Sequence, residues 1–190
     1  DVIDDSPMRH GMQSFHTKFN KDQAILWGDL VLSIAAETIG KSDFSKEARE
    51  LFSTMSQETI IGQMLDVAGP ESSFGADVFL DHVIQLKTSR YTFIYPLLLG
   101  RSIAGILKPD PAYIALGTSL GRAFQRLDDL SDILSPQEEL GKKPCADIES
   151  GKSTHISNYI QTLCSKETRA RFQAYSARPL TKGEMETVRG

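Results

Sequence analysis

Three aspartates in the second half of the sequence have the spacing of one helical face. Asp128, Asp129 and Asp132 lie within the mostly apolar segment AFQRLDDLSDIL. Positions three and four apart meet on one side of a helix, so these carboxylates would repel one another unless a cation joined them. Mg²⁺ prefers hard oxygen ligands and is commonly bound by one or two carboxylates together with substrate phosphates. The segment therefore predicts a magnesium site at which the metal also binds the phosphates of a substrate.

A second aspartate group opens the sequence. Asp1, Asp4 and Asp5 stand in DVIDDSPMRHG, with Arg9 and His10 close behind them. We interpret Asp5 as a solvated acid or a helix cap, whereas Asp1 and Asp4 again have helical spacing. If the two aspartate groups face each other, they could bind a diphosphate through Mg²⁺.

Composition limits the classes of protein to consider. The 190 residues are 40% hydrophobic, which supports a core, and a net charge of −4 with a pI of about 5.6 excludes a general nucleic-acid-binding protein. Cys145 and Cys164 lack metal-ligand spacing and suit a reducing compartment. The apolar runs are too short for a membrane span. We therefore expect a cytoplasmic protein with no nucleic-acid partner and no membrane span.

Helical periodicity predicts the elements that must position these side chains. Strand alternation and repeats are lacking. The predicted class is all-α, a multi-helix bundle around a central cavity. The predicted helices span 22–39 with Gly40 as terminator, 43 or 45 to 68, 76–107 with a kink at Pro96, and 110–134, followed by a loop over 135–151 and two or three shorter helices.

Taken together, the motifs are similar to those of the trans-isoprenyl diphosphate synthases, the polyprenyl synthetase family. The opening segment is similar to that family's first aspartate-rich motif, D-D-x-x-D-x4-R-R-G. Asp1 matches its second aspartate and Asp4 its third. The R-R-G part is matched by Arg9, His10 and Gly11, so that a histidine stands in place of the second arginine.

Three further segments carry the resemblance. The residues from Gln125 to Asp132 are similar to the family's second motif, F-Q-x-x-D-D-x-x-D. Lys87 and Thr88 are similar to its K-T signature, and Gly62 falls at a helix-packing signature. GKKPCADIESGK, residues 141–152, is similar to the family's G-K loop and supplies Lys142, Asp147 and Lys152. The motifs occur in the family's order over nearly the whole chain.

The resemblance implies a Mg²⁺-dependent prenyltransferase with the isoprenoid synthase type I fold. Such an enzyme condenses an allylic diphosphate with isopentenyl diphosphate to make a longer trans-polyprenyl diphosphate. The allylic C–O bond ionises, the isopentenyl double bond attacks the carbocation, and a proton is lost. Mg²⁺ held between two aspartate groups stabilises the departing diphosphate. The resemblance also implies a homodimer.

It further implies a role for each candidate residue. The metal ligands would be Asp1, Asp4 and Asp128, with Asp129 and Asp132 supporting them or binding through water. The allylic diphosphate would be held by Arg9, Lys87 and Lys142, with Lys152 closing over the site. His10 would stand at the isopentenyl diphosphate subsite as a weaker, pH-dependent cation. Thr88 and Gln125 would lie near the reacting carbon, where their carbonyl or hydroxyl dipoles would stabilise the carbocation.

Two other functions remain open from the sequence. A class I terpene cyclase ionises the same kind of substrate, but it usually replaces the second aspartate motif with an N/D-x-x-S/T-x-x-x-E pattern. A noncatalytic regulatory subunit of a heteromeric synthase tends to lose its aspartates. Both aspartate groups are kept here, which favours the catalytic synthase, and His10 leaves the regulatory subunit as an alternative.

The first motif also bears on domain extent and product. Because Asp1 stands inside that motif, we expect residues 1–190 to be a single isoprenoid-synthase domain that is incomplete at both ends. We expect preceding helices to complete its core, and residues 1–190 expressed alone to aggregate or to be inactive. Two residues separate Asp1 from Asp4, whereas the bacterial farnesyl type has four. This spacing favours a medium-chain, geranylgeranyl-like product.

Overall fold

The structure is a computed structural model that describes residues 2–3, 5–69, 75–106, 110–141 and 143–189. The chain forms two compact units, one made of Asp1–Leu32 with Leu127–Gly190 and the other of Ser33–Arg126. The elements, in chain order, are β1 (Met8–Arg9), β2 (Met12–Gln13), α1 (Phe15–Lys18), α2 (Lys21–Lys41), α3 (Lys46–Ala68), α4 (Ala76–Ile84), a π-helix (Gln85–Ile94), α5 (Tyr95–Ile103), α6 (Pro111–Leu134), α7 (Gln137–Leu140), α8 (Ala146–Glu149), α9 (His155–Leu163), α10 (Lys166–Tyr175) and α11 (Lys182–Arg189). The predicted all-α class is confirmed.

Capping residues fix several helix ends where the sequence predicted them. The Ser45 hydroxyl accepts a hydrogen bond from the backbone N–H of Ala48 and starts α3. Gly69, with φ of 73°, ends the same helix in a conformation that favours glycine. Gly40 was expected to end α2, but the helix continues through it to Lys41. A glycine inside a helix costs only about 1 kcal/mol, which the rest of a long helix offsets.

The predicted single helix over 76–107 is a succession of three helical segments. Its middle part, Gln85–Ile94, is π-helical, and Pro96 lies in the first turn of α5. Proline fits there because the first turn of a helix does not need its N–H. The run ends at Ile103, followed by Gly105 with φ of 76°.

A small hairpin near the amino end was not predicted. β1 and β2 are antiparallel, with Met8 opposite Gln13 and Arg9 opposite Met12. The two turn residues, His10 and Gly11, both have positive φ, 51° and 73°. Two such residues match the mirror-image turn that suits a tight hairpin. Strands of this length are too short for an alternating pattern to reveal.

Close backbone approaches hold the π-helix within the Ser33–Arg126 unit. A methyl group added to Gly62 of α3 would lie 2.6 Å from the backbone nitrogen of Lys87. A methyl group added to Gly121 of α6 would lie 2.1 Å from Oγ and 2.5 Å from Cα of Ser89. Glycine at these positions is therefore what lets α3 and α6 pack directly against the π-helix backbone.

The other unit has its own apolar cluster, which supports the loop after α6. Cys145, Ile148 and Leu180 are buried there. The partly buried residues packed against them are Ile133, Phe172, Tyr175, Met185 and Val188. The cluster thus joins the end of α6 and the G-K loop to the last two helices.

Candidate functional site

Lys87 lies on the π-helix and is paired with an acid from α3. Its ammonium is 2.5 Å from a carboxylate oxygen of Asp66, and both side chains are partly buried. The close approach of Gly62 to the backbone of Lys87 sets the position along α3 at which this ion pair forms. Because this contact already restricts the lysine side chain, binding an anion would cost little further side-chain entropy.

Thr88 and Gln125 are in direct contact. The Thr88 hydroxyl is 2.9 Å from the side-chain oxygen of Gln125 and donates a hydrogen bond to it. Thr88 is buried on the π-helix, and Gln125 is half-buried on α6. The structure therefore brings together two of the residues that were expected near the reacting carbon.

One polar cluster beside the π-helix was missed from the sequence. Glu58 of α3 accepts hydrogen bonds from Arg90 and from the Tyr95 hydroxyl, the latter at 2.6 Å. Burial opposes ionisation of Glu58, but the hydrogen bonds from Arg90 and Tyr95 outweigh it and lower its pKa below the ordinary value. Burial is the main cause that raises the pKa of Tyr95 to about 12, and the hydrogen bond to the negative Glu58 is the second. The cluster ties the second half of the π-helix and the start of α5 to α3.

The three aspartates of the second motif differ sharply in exposure. Asp128 is exposed, whereas Asp129 and Asp132 are 5% and 1% exposed. The Asp132 carboxylate accepts a hydrogen bond at 3.1 Å from the backbone N–H of Asp147 in the G-K loop. Equal helical spacing therefore leads to unequal environments: one acid faces solvent and two face the protein.

The G-K loop closes a small cavity beside α6. Lys152 lies 3.9 Å from the carboxylate of Asp147. Asp129, Asp147 and Lys152 line a cavity of about 10 Å³ with Ile148 and Phe172 among its apolar walls. That volume is about what a single water molecule needs. Acidic and basic groups thus meet at one place in this unit.

The carboxyl-terminal segment holds the G-K loop from the other side. Glu149 accepts hydrogen bonds from the backbone N–H of Leu180 at 2.6 Å and from Lys143 at 2.6 Å. The N–H of Ala177 donates to the carbonyl of Ile148 at 3.0 Å.

Burial is the main cause that raises the pKa of the Cys145 thiol, and the negative charge of Asp132 is the second. This cysteine therefore remains a packed thiol and is unsuited to act as a nucleophile.

The amino-terminal hairpin touches the start of the same loop. The N–H of Gly11 lies 3.5 Å from the carbonyl of Gly141, and a methyl group on Gly141 would lie 2.9 Å from the nitrogen of Gly11. Arg9 and His10 are exposed in this hairpin.

Asp5, before the hairpin, forms an ion pair with Lys21. The Lys21 ammonium is 2.8 Å from the Asp5 carboxylate, and this hydrogen bond lowers the pKa of Asp5.

Three of the expected site residues, Asp1, Asp4 and Lys142, lie outside the described residues. Within the described part of the chain, no group of three or more His, Cys, Asp or Glu side chains could hold a metal ion. The same part contains no helix long and apolar enough to cross a membrane.

Comparison with known proteins identifies the family. The polyprenyl synthetase family model matches residues 1–189. A geranylfarnesyl diphosphate synthase of Natronomonas pharaonis is 33% identical over 166 residues, which are 83% of this chain and 47% of that protein. The chain thus spans about half the length of the curated relatives it matches.

Solved structures extend the likeness to the fold. A geranylgeranyl pyrophosphate synthase from Corynebacterium glutamicum, complexed with isoprenyl diphosphate and magnesium, matches all of this chain and 60% of that one, with a TM-score of 0.83 and 28% identity. A polyprenyl synthase from Caulobacter crescentus, complexed with calcium and isoprenyl diphosphate, matches all of this chain and 58% of its own, with a TM-score of 0.81 and 25% identity. The predicted isoprenoid synthase type I fold is confirmed. The chain belongs to the polyprenyl synthetase family.

Proposed function

We propose that the full-length protein is a prenyltransferase that condenses an allylic diphosphate with isopentenyl diphosphate, with a medium-chain, geranylgeranyl-like trans product favoured. The observation that carries the proposal is the contact of α6 with the G-K loop, where Asp129, Asp147 and Lys152 line one cavity. Asp128, which precedes Asp129 on α6, is exposed. Carboxylates next to a lysine are what a metal–diphosphate complex needs. The two solved relatives named above are complexed with isoprenyl diphosphate, which supports this substrate class.

The donor set fits a divalent cation of the Mg²⁺ type. Asp128 offers an exposed carboxylate, and Asp1 and Asp4 would supply oxygens from the first motif. Asp129 would support Asp128, directly or through water. When bound, Mg²⁺ would stabilise the charge that develops on the departing diphosphate. The magnesium and calcium in the two solved relatives support this assignment.

The basic residues would bind the diphosphates. Lys87, already held by Asp66, would hold the allylic diphosphate together with Arg9 and Lys142. Lys152 would cover it from the loop. His10 would stand at the isopentenyl diphosphate subsite. Each of these side chains would orient an anion and replace part of its hydration.

The reacting carbon would lie beside the Thr88–Gln125 pair. The Thr88 hydroxyl donates to Gln125, so the oxygen atoms of both side chains are held at a fixed separation of 2.9 Å. Oxygen dipoles fixed in this way can stabilise a carbocation without reorganising during the reaction. We also propose a cytoplasmic homodimer, which the two free cysteines and the family support.

The test is made with the full-length protein. Incubation with isopentenyl diphosphate and a series of allylic diphosphates should give a longer trans-polyprenyl diphosphate in the presence of Mg²⁺ and none after chelation. A cyclic hydrocarbon would instead indicate a cyclase. Absence of turnover with every allylic diphosphate, by a folded protein that still binds them, would indicate a regulatory subunit.

Asp128→Asn supplies the residue-level prediction. Removing the carboxylate charge should lower kcat by about 100-fold or more and abolish Mg²⁺-dependent diphosphate binding at low metal concentration. Isothermal calorimetry measures the binding. Glu138→Gln, which changes an exposed acid in α7, is the matched control and should bind normally. Undiminished metal-dependent binding by Asp128→Asn would contradict the assignment.

A further inference from the structure

Asp132 is connected to the G-K loop by both its side chain and its backbone. Its carboxylate is 1% exposed, and one oxygen accepts a hydrogen bond from the N–H of Asp147 at 3.1 Å. Its carbonyl accepts a hydrogen bond from the N–H of Cys145 at 2.7 Å. A buried carboxylate is costly unless it is hydrogen-bonded, and here the donor is supplied by the loop. One residue of α6 therefore carries two attachments of the loop.

The attached part of the loop is itself a hydrogen-bonded piece. The N–H of Glu149 donates to the carbonyl of Cys145 at 3.0 Å, and the N–H of Lys152 donates to the carbonyl of Asp147 at 2.9 Å. Lys152 is thus linked through Asp147 to the carboxylate of Asp132. A shift of that carboxylate would move the lysine as well.

The geometry points to Asp132 as a positioning residue, which fixes the G-K loop on α6 so that Lys152 faces the diphosphate, and not as a metal ligand. This inference rests on the proposed function for the identity of the ligand. Asp128, one helical turn earlier and exposed, keeps its carboxylate available for metal. The two acids of one motif would then have different roles, and the supporting role expected of Asp132 would be the attachment of the loop.

Asparagine separates the two roles. It has the shape of aspartate, and its carbonyl oxygen can accept the same hydrogen bond from Asp147, but it is a much weaker Mg²⁺ ligand. Asp132→Ala removes the hydrogen-bond acceptor altogether. A positioning residue is therefore rescued by asparagine and lost with alanine, whereas a metal ligand is lost with both.

Hydrogen exchange tests the positioning without any turnover. In the full-length protein without ligands, amides of residues 145–152 should exchange about tenfold faster in Asp132→Ala than in the wild type, because a hydrogen bond to a charged group is lost. Asp132→Asn should exchange like the wild type, and so should Asp128→Ala, the control on the same helix. Wild-type protection in Asp132→Ala would overturn the inference, even if the protein proves inactive as a prenyltransferase.

Metal titration tests the second half of the inference. Pyrophosphate is the probe, and calorimetry gives the Mg²⁺ concentration that half-saturates its binding. Asp132→Asn should keep that concentration within about twofold of the wild type, whereas Asp128→Asn should raise it about tenfold or more. An equal rise in the two variants would make Asp132 a ligand and overturn the inference, while leaving the prenyltransferase proposal intact. Absence of any Mg²⁺ effect on the wild type would count against the proposed function itself.

Discussion

Gly141 satisfies two constraints at the first position of the G-K loop. Its φ of 64° favours glycine, and its α-carbon stands so close to the hairpin turn that a methyl group would lie 2.9 Å from the nitrogen of Gly11. Lys142, one of the proposed diphosphate ligands, follows directly. The hairpin and the loop therefore meet at a point where no larger residue fits.

Replacing Gly141 with alanine should move the loop away from the hairpin. We expect Gly141→Ala to raise KM for the allylic diphosphate about tenfold, since a displaced loop loses part of its contact with the anion. Gly105→Ala is the control, because Gly105 also has positive φ, 76°, but a methyl group there would meet no described atom within 4 Å. Both variants should lose about 1–2 kcal/mol of stability from the strained backbone, and only Gly141→Ala should change KM. Equal KM values in the two variants would contradict the proposed contact.

The Tyr95 hydroxyl should stabilise the fold by an amount that depends on pH. Glu58 has a lowered pKa, so its contribution is complete above its ordinary value of 4.5 and is lost as pH falls through the folded-state pKa. Tyr95→Phe removes one donor to Glu58, and we expect it to lower the free energy of unfolding at pH 7 by about 1–3 kcal/mol. The difference from the wild type should shrink as the pH falls below 4.5. Denaturant unfolding of the full-length protein measures it.

Tyr91→Phe is the matched control for this measurement. Tyr91 lies on the same π-helix but is exposed, so its replacement should leave stability unchanged at every pH. A constant difference between Tyr95→Phe and the wild type from neutral to acidic pH would contradict the role of Glu58.

Residue types and order supplied the candidate residues, whose roles stay predictions, and the structure adds contacts and exposures that spacing cannot express. Thr88 and Gln125 belong to two distant motifs that the sequence analysis had named, and the structure shows their hydrogen bond. The different exposures of Asp128 and Asp132 could not be predicted, because helical spacing gives only the common face and not what packs on it. His10 was interpreted as a weaker cation; its φ of 51° gives it a backbone role in the turn as well, and histidine is among the residues that tolerate that region.

At the scale of elements, the π-helix is the feature on which the proposed catalytic residues depend. Lys87 and Thr88 both lie in it, and α3 and α6 approach its backbone through glycines. π-Helical turns are rare and often occur at functional sites, because their wider turn re-aims the side chains. Ser89, at the contact with Gly121, is fully buried, so its side chain cannot move aside for a larger residue at position 121.

Gly121→Ala should therefore be strongly destabilising. The added methyl group would lie 2.5 Å from Cα of Ser89, so α6 or the π-helix must shift, at a cost of about 3 kcal/mol. Because Thr88 precedes Ser89, kcat should fall as well. Gly100→Ala is the control in α5, where a methyl group would meet no described atom within 4 Å, and it should be neutral or stabilising by up to about 1 kcal/mol. Thermal unfolding and steady-state kinetics of the full-length protein distinguish the two.

The elements themselves were predictable to different degrees. Capping by Ser45 and Gly69 set the ends of α3 as predicted, and Pro111 began α6 as predicted. The π-helix was not predicted, because no residue type or spacing in Gln85–Ile94 distinguishes its wider turn from that of an α-helix. The hairpin was missed since two-residue strands give no pattern, although Gly11 is the kind of residue that such a turn favours.

At the scale of the whole molecule, α2 exposes nearly all of its apolar side chains. Their exposed fractions lie between 43% and 66% for Ile25, Leu26, Trp27, Leu30, Val31, Leu32 and Ile34. A patch of this extent is unusual for a protein that stays dispersed by itself.

Residues 1–190 expressed alone should therefore aggregate. We expect light scattering to rise with concentration and a hydrophobic dye to bind, because α2 offers apolar surface for association. A variant carrying Leu26→Glu and Val31→Glu, two of the more exposed positions, should aggregate much less. The same pair of changes at Lys18 and Asp22, which are already polar, is the control. A wild-type chain of 190 residues that sediments as a monomer at micromolar concentration would show that this surface does not cause association.

Arg189 bears on the order in which the chain can fold during synthesis. Its guanidinium donates to the carbonyls of Ile133, at 2.8 Å, and Ser135, at the end of the helix that carries the second aspartate motif. The two partners Arg189 and Ile133 are 56 positions apart, which a ribosome covers in about 3–10 s at its usual speed. During that interval the carbonyls of Ile133 and Ser135 lack the hydrogen bonds from Arg189. The acids of the motif are therefore synthesised several seconds before the arginine that supports the end of their helix.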